Sequence, residues 1–210
     1  MKYSLDHRVW PGAVALVTLT LLTASFYRPL TGVAFLLFTA HFLFFRDPQP
    51  SIPAGEAPLS PAEGKVVEIS YQTENRYLKD ECVKIGICLT VFDAHVNRVP
   101  IGGKVDYLEY VPGKFMNALD PKCVAGNESN WVGLKNDSRR VLVRQMAGAV
   151  ARRIVCDVKL GTPLERGQKF GVICYGSRVE FFAPKNTFQP SIQVGERVKA
   201  GQTILGDWLA

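Results

Sequence analysis

The sequence is poor in histidine and in the short cysteine patterns that bind metals. Only three histidines occur, His7, His41 and His95, and the five cysteines include no Cys-x-x-Cys pair. An odd number of irregularly spaced cysteines argues against a disulfide framework and is typical of a reducing compartment. Without clustered histidine or cysteine ligands, we expect no zinc site and no other metal site.

Acidic residues are also in deficit. The chain has 25 Lys and Arg against 19 Asp and Glu, which gives a net charge of +6. A basic balance suits an anionic partner, such as a membrane surface, a nucleic acid or a phosphorylated substrate. Aromatic residues do not interleave with the basic ones as they do in RNA-binding patterns, so we expect no nucleic-acid partner.

Charge is absent from two stretches near the N-terminus. Residues 9–27 and 30–45 contain no Asp, Glu, Lys or Arg, and Arg28-Pro29 separates them. Their lengths approach the roughly 20 residues that span a bilayer. We therefore predict a helical membrane hairpin over residues 1–46, formed by two short spans or by one re-entrant pair. A pair of buried helices is the alternative.

The basic residues around this hairpin indicate its orientation. Lys2 and Arg8 precede it and Arg46 follows it, whereas the turn holds Arg28 alone. Positive residues near apolar segments favour the cytoplasmic side. Both ends, and with them the domain that follows, are therefore predicted on the cytoplasmic side of the cell membrane.

The remaining residues, 47–210, have the composition of a mainly β domain. Residues 46–55 are rich in proline and predict an extended linker. Beyond them, short segments rich in β-branched residues alternate with glycine-rich turns. Strands are predicted at 65–69, 83–89, 104–110 and 140–146. Residues 113–130 predict a long loop, and 147–153 fit either a strand or a helix.

Residues 170–182 form the central predicted feature of the β domain. Two apolar runs of strand type meet at Gly176-Ser177, which predicts a tight β-hairpin with glycine first in a type II′ turn. Ser177 would then lie at an exposed tip, where its hydroxyl can reach the carbonyl of Gly176. No Gly-x-Ser-x-Gly pattern surrounds the serine, so the nucleophile elbow of the hydrolases is excluded.

His95 is the only histidine in the β domain. Asp93, Asn97 and Arg98 flank it, a setting that suits a tuned acid or base, or an anion site. A purely structural histidine is the alternative. Glu63 lies in a short turn before a predicted strand. Taken by itself, its position is typical of an ordinary acidic turn residue.

Together these segments resemble the phosphatidylserine decarboxylase family in its short, membrane-associated form. The resemblance covers nearly the whole chain. It is carried by Phe44-Phe45-Arg46-Asp47-Pro48, Ser60-Pro61-Ala62-Glu63-Gly64, Asp93-Ala94-His95-Val96-Asn97-Arg98, Gly113-Lys114-Phe115-Met116-Asn117-Ala118, Asn127-Glu128, Gln145-Met146-Ala147-Gly148 with Ala151-Arg152-Arg153-Ile154-Val155, and Gly176-Ser177-Arg178. The resemblance implies a flattened, barrel-sandwich-like β fold for the catalytic domain.

The resemblance also implies a chemistry for Gly176-Ser177. The Ser177 hydroxyl would attack the Gly176 carbonyl, and elimination would then cut the proenzyme into residues 1–176 and 177–210. The new terminus at 177 would become a pyruvoyl group, the cofactor for decarboxylating phosphatidylserine to phosphatidylethanolamine in phospholipid biosynthesis. The expected partners are the phospholipid, the membrane and the two chains for each other, with a higher oligomer left open.

Further site residues follow from the same resemblance. His95 would be the base of self-cleavage and an acid in decarboxylation, with Glu63 orienting its ring. The family usually has Asp in that turn, so Asp93, two residues before His95, is a rival for this role. The lipid phosphate would be held by basic side chains, for which the candidates are Arg98, Arg152 and Arg153.

Two alternatives remain at this stage. The Val-x-x-Gly rhythm of residues 194–206 is similar to that of lipoyl and biotinyl carrier domains, but those need a lysine at the hairpin tip that here holds Gly176-Ser177. A pyruvoyl decarboxylase of a soluble amino acid is the other alternative, against which the apolar hairpin argues.

Overall fold

The structure, a computed structural model, describes residues 3–26, 28–117, 123–149, 153–173 and 177–209. The chain divides into two compact units, Met1–Gln49 and Pro50–Ala210.

The first unit contains the two predicted helices. Helix α1 spans Val9–Phe26 and helix α2 spans Arg28–Phe44. They pack closely because Gly12 leaves room for His41, whose Nε2 donates to the carbonyl oxygen of Val9 at 3.0 Å. Within the described part of the chain, neither helix combines the length and apolarity needed to cross a membrane.

A short strand pair closes this unit. Strand β1, Tyr3–Leu5, pairs antiparallel with strand β2, Arg46–Pro48. The prediction of an extended linker over 46–55 is therefore wrong for its first three residues. Proline-rich sequence alone did not reveal that the N-terminal residues supply a strand partner.

In its described residues, the second unit consists mainly of strands, with one short helix. The strands are β3 Gly64–Glu74, β4 Asp80–Leu89, β5 Val96–Arg98, β6 Gly103–Val111, β7 Ser129–Lys135, β8 Arg140–Met146, β9 Ile154–Cys156, β10 Pro163–Leu164, β11 Lys169–Ile173, β12 Ser177–Pro184, β13 Phe188–Pro190, β14 Arg197–Val198 and β15 Gly206–Trp208. Helix α3 spans Cys123–Gly126. This confirms the mainly β class, with a helix pair at the N-terminus.

The strands form one large curled sheet and two small sheets. The large antiparallel sheet has the order β10-β6-β7-β8-β12-β4-β3-β14, and a three-strand sheet has the order β5-β11-β9. Strands β13 and β15 form a separate pair. Residues of both larger sheets share one apolar core, in which Ile87 and Val179 of the large sheet join Phe170 and Ile173 of the small one. Burial of these side chains is the main stabilising term of the unit.

The strand predictions at 65–69, 83–89, 104–110 and 140–146 are confirmed, since these residues lie in β3, β4, β6 and β8. The predicted loop over 113–130 is only partly correct, because α3 and the start of β7 fall inside it. Between 147 and 153, the described residues 147–149 and 153 belong to neither a strand nor a helix.

The hairpin predicted over 170–182 is wrong. Strand β11 pairs with β5 and β9, whereas β12 pairs with β4 and β8. Two neighbouring apolar runs have the same local pattern whether they pair with each other or enter different sheets, so the sequence could not distinguish these arrangements.

Candidate active site

Ser177 is the first residue of β12, a central strand of the large sheet. It pairs with Leu89 at the end of β4, and the alternation of side chains places it on the core face with Val179 and Phe181. The residue is fully buried, and its Oγ has no hydrogen-bond partner among the described residues. The prediction of an exposed tip is therefore wrong. Gly176 lies outside the described residues.

His95 is also fully buried, just before β5. Its Nδ1 lies 2.8 Å from the backbone oxygen of Asp93. A carbonyl oxygen can only accept, so Nδ1 carries the proton and donates. In the neutral ring, Nε2 then holds the lone pair that a general base requires.

Strand pairing brings the segments around these two residues together. The amide of Ile173, at the end of β11, donates to the backbone oxygen of His95 at 3.1 Å. Ser177, at the start of β12, pairs with Leu89. The segment from Leu89 to His95 therefore contacts the chain on both sides of residues 174–176, where the predicted cleavage point lies.

Asp93 builds the turn that carries His95. Its carboxylate accepts from the amide and the hydroxyl of Thr90, at 2.7 and 2.8 Å, and from the guanidinium of Arg197. The carboxylate thus holds the turn, while the backbone carbonyl holds the imidazole ring. The Thr90-x-x-Asp93 spacing was a readable signal for such a turn, but nothing in the sequence linked it to Arg197.

Glu63 is half-buried in the turn before β3. On one side of the turn, the carbonyl of Pro61 accepts from the amide of Arg98 at 2.9 Å. On the other side, a Cβ on Gly64 would collide with the backbone oxygen of Cys88. The turn therefore lies between the end of β4 and strand β5, the two elements that flank the His95 turn.

A chain of three buried side-chain amides links the two sheets beside the site. The Asn97 oxygen accepts from Gln145 Nε2 at 2.7 Å, and the Gln145 oxygen accepts from Asn130 Nδ2 at 3.0 Å. Gln145 pairs with Val179 in the large sheet, whereas Asn97 belongs to β5 in the small one. Buried amides satisfied by each other fix the relative position of two strands. The sequence indicated Asn97 only as a neighbour of His95 and assigned no role of their own to Gln145 and Asn130.

The three candidate arginines differ in their surroundings. Arg98 is buried, and its guanidinium donates to the backbone oxygen of Gly167 at 3.1 Å. Arg153 is exposed and precedes Ile154, which pairs with Ile173 beside the His95 segment. Arg152 lies outside the described residues.

On the opposite face of β12, a cluster of charged side chains begins at the residue after Ser177. It consists of Glu68, Lys84, Arg144, Arg178 and Glu180. Burial alone would lower the pKa of Arg178, but Glu180 and Glu68 raise it. Burial would likewise raise the pKa of Glu68, but hydrogen bonds from Lys84, Ser70 and Arg178 lower it. Arg178 and Glu68 therefore both stay charged near neutral pH.

Comparison with known proteins decides the family. The model of the family described as phosphatidylserine decarboxylase matches residues 37–206. The chain belongs to the phosphatidylserine decarboxylase family. Its reaction is the pyruvoyl-dependent decarboxylation of phosphatidylserine to phosphatidylethanolamine. As a proenzyme of this family, it generates the pyruvoyl group by self-cleavage into two chains.

Three relatives show how much of the chain the similarity covers. Each is called phosphatidylserine decarboxylase proenzyme. The relative from Carboxydothermus hydrogenoformans is 44% identical over 92% of this chain and 91% of its own. Those from Syntrophus aciditrophicus and Symbiobacterium thermophilum are 42% and 41% identical, covering 90% and 94% of this chain and 90% and 92% of their own. Membership of the phosphatidylserine decarboxylase family rules out the two alternative hypotheses, a carrier domain and a decarboxylase of a soluble amino acid.

The hydroxyl of Ser177 is buried, and no other hydrogen bond within the described structure holds its Oγ. The Oγ is therefore available to attack a neighbouring carbonyl carbon. Phosphatidylserine decarboxylases are typically membrane-associated, which agrees with a lipid substrate.

Proposed function

We propose that Ser177 supplies the pyruvoyl group and that the chain is cut between Gly176 and Ser177, giving residues 1–176 and 177–210. The observation that carries this proposal is the buried Ser177 Oγ, which has no hydrogen-bond partner among the described residues. The chain on either side of residues 174–176 also pairs with the segment from Leu89 to His95. Strand β12 pairs with β4 over its whole length and with β8 from Arg178 to Phe182, so the small chain stays bound after the cut.

The cut proceeds through groups of the chain itself. Ser177 Oγ attacks the carbonyl carbon of residue 176, and an ester replaces the peptide bond. A base removes the α-proton of residue 177, the carboxylate of residue 176 leaves, and dehydroalanine remains at 177. Water then converts this residue to a ketone and releases ammonia. Glycine at 176 leaves the carbonyl accessible to the hydroxyl.

His95 is the base in this proposal. The Asp93 carbonyl fixes Nδ1 as the protonated nitrogen, which leaves the Nε2 lone pair for the α-proton. The finished pyruvoyl carbonyl withdraws electrons as carbon dioxide leaves the substrate. The same His95 nitrogen then holds the proton that is returned to the substrate carbon.

Glu63 is proposed as the carboxylate that faces the imidazole. The rival, Asp93, uses its carboxylate to bind Thr90 and Arg197 and acts on the ring through its backbone carbonyl. Glu63 instead lies in the turn between β4 and β5. For the lipid phosphate, exposed Arg153 is favoured over Arg98, whose guanidinium is buried against Gly167. Arg152 remains a candidate from the sequence alone.

The N-terminal unit is proposed to hold the enzyme at the membrane. Its helices expose many large apolar side chains, among them Leu21, Phe35 and Leu36, each more than 60% exposed. In this proposal residues 1–46 associate with the cell membrane and residues 47–210 form the pyruvoyl decarboxylase domain on its cytoplasmic side. The phospholipid, the membrane and the two chains are the partners.

Self-cleavage of purified variants tests these roles. His95→Ala should leave one uncut chain, because the base is lost. Glu63→Gln should slow cleavage at least about tenfold, as expected when a charged partner of a catalytic histidine is lost. Asp93→Asn should slow it less, because the amide oxygen can still accept from Thr90 and the backbone carbonyl is unchanged. Time courses of chain cleavage on gels give the rates.

Each unexpected cleavage rate would contradict a different part of the proposal. Normal cleavage of the His95→Ala variant would remove histidine from the mechanism. A larger defect in Asp93→Asn than in Glu63→Gln would reassign the partner to Asp93. Glu63→Asp is the matched control, since it keeps the charge and restores the residue that the family usually has.

A further inference from the structure

The turn between Ser177's strand partner and His95 displays two large apolar side chains. Val91 is 50% exposed and Phe92 is 82% exposed, the highest exposure among the large apolar side chains of the described residues. Most of the phenyl surface therefore stays in contact with water after folding and adds little to stability. We refer to Val91 and Phe92 together as the apolar tip.

The apolar tip is held in place by hydrogen bonds within the turn. The Asp93 carboxylate binds the Thr90 amide and hydroxyl, the Asp93 amide donates to the Thr90 carbonyl at 3.0 Å, and the Phe92 amide approaches the Thr90 hydroxyl at 3.4 Å. The turn thus presents the tip in a fixed direction.

The position of the tip connects it to the reaction. Leu89, one residue before the Thr90 turn, pairs with Ser177, and His95 follows the tip by three residues. Any surface that receives Phe92 therefore lies close to the segment that carries His95 and pairs with Ser177. The reacting amine of phosphatidylserine belongs to a headgroup at the bilayer surface. A bilayer that contacts Phe92 would therefore present this amine close to the site.

The positive charges beside the apolar tip indicate that the surface it contacts is anionic. Arg197 binds Asp93, and its side chain is 62% exposed. Its pairing partner across β14 and β3, Lys65, is exposed as well. Apolar side chains flanked by cations are typical of segments that lie in the interface of an anionic membrane. Phosphatidylserine carries a net negative charge and supplies that surface.

We propose that Val91 and Phe92 insert into the interfacial layer of an anionic phospholipid bilayer, with Arg197 and Lys65 at the headgroups, and so place the site over its substrate. This inference rests on the proposed function only for the position of the site. Membrane insertion of the tip can be measured whether or not Ser177 forms the cofactor.

The kinetic test compares two forms of the substrate with the full-length enzyme. Phe92→Ser should raise the concentration of phosphatidylserine vesicles that gives half-maximal rate by about tenfold or more, since an inserted phenyl ring is lost. Its rate on monomeric dihexanoyl-phosphatidylserine should change less than about twofold, because the water-soluble lipid needs no surface. Leu160→Ser is the matched control. Leu160 is also exposed but lies in a turn beside β6, near the other edge of the large sheet, and both rates should stay unchanged.

The insertion test needs no activity. Phe92→Trp and Leu160→Trp are each made in an uncut Ser177→Ala, Trp10→Phe chain and mixed with vesicles that carry brominated acyl chains. The Phe92→Trp fluorescence should shift to the blue and be quenched more than that of Leu160→Trp. Equal quenching of the two would overturn the proposal. So would a blue shift of Phe92→Trp without vesicles that grows with protein concentration, which would show that the tip meets a second copy.

Discussion

At the residue scale, Gly86 makes room for the charged residue that follows Ser177. A Cβ at position 86 would lie 2.5 Å from Nη2 and 3.0 Å from Cζ of Arg178. The guanidinium cannot simply move away, because Glu180 holds it in a buried ion pair at 2.9 Å and Glu68 binds the same nitrogen. Displacing one member of a buried ion cluster leaves charges without compensation.

Gly86→Ala should therefore destabilise the protein by about 1–3 kcal/mol, the usual range for overpacking a buried site. Urea unfolding of the uncut Ser177→Ala chain, followed by tryptophan fluorescence, gives the free energy of unfolding without complication from cleavage. Gly102→Ala is the matched control, because a Cβ there meets only the Arg166 amide at 3.4 Å and atoms farther away. An equal loss in both variants would contradict the role given to Arg178.

The sequence predicted Ser177 and His95 because unusual residues in a recognisable order surround them. It could not predict that Ser177 is buried, since burial depends on β4 and β8 enclosing the start of β12. It also could not find the bond between Asp93 and Arg197, which are 104 residues apart. The sequence thus predicted the residues proposed to react, but not the residues that hold them.

At the scale of elements, the lengths and apolarity of the two N-terminal runs predicted α1 and α2 well. The β domain was harder, because strand order depends on long-range pairing. Strand β12 joins β4 and β8, although β11 and β13 are its neighbours in the sequence. An apolar run predicts that a strand exists and says nothing about its partner.

The N-terminal helices carry a prediction at this scale. Deleting residues 1–45 should move the protein from the membrane fraction to the soluble fraction, because the helices expose a large apolar surface. Cell fractionation and immunoblotting of the full chain and the deletion variant measure this. Equal distribution of the two chains would contradict the role proposed for the first unit, and would leave the apolar tip as the main membrane contact.

At the scale of the whole molecule, the account requires one continuous chain to fold and then become two. The large chain would contribute β4 and β8, and the small chain would begin with β12 between them. In this proposal, the pairing of β12 with both neighbours would keep the new terminus in place, even though chain ends usually fray. The charged cluster around Arg178 adds a second attachment beside the cut.

The intact mass of the purified protein tests the central claim most directly. The account predicts two chains, residues 1–176 and 177–210, with a small chain that resists Edman sequencing and reacts with phenylhydrazine because it begins with a ketone. Ser177→Ala should give a single inactive chain of full mass. A wild-type chain that retains its full mass and still releases carbon dioxide from phosphatidylserine would contradict the account.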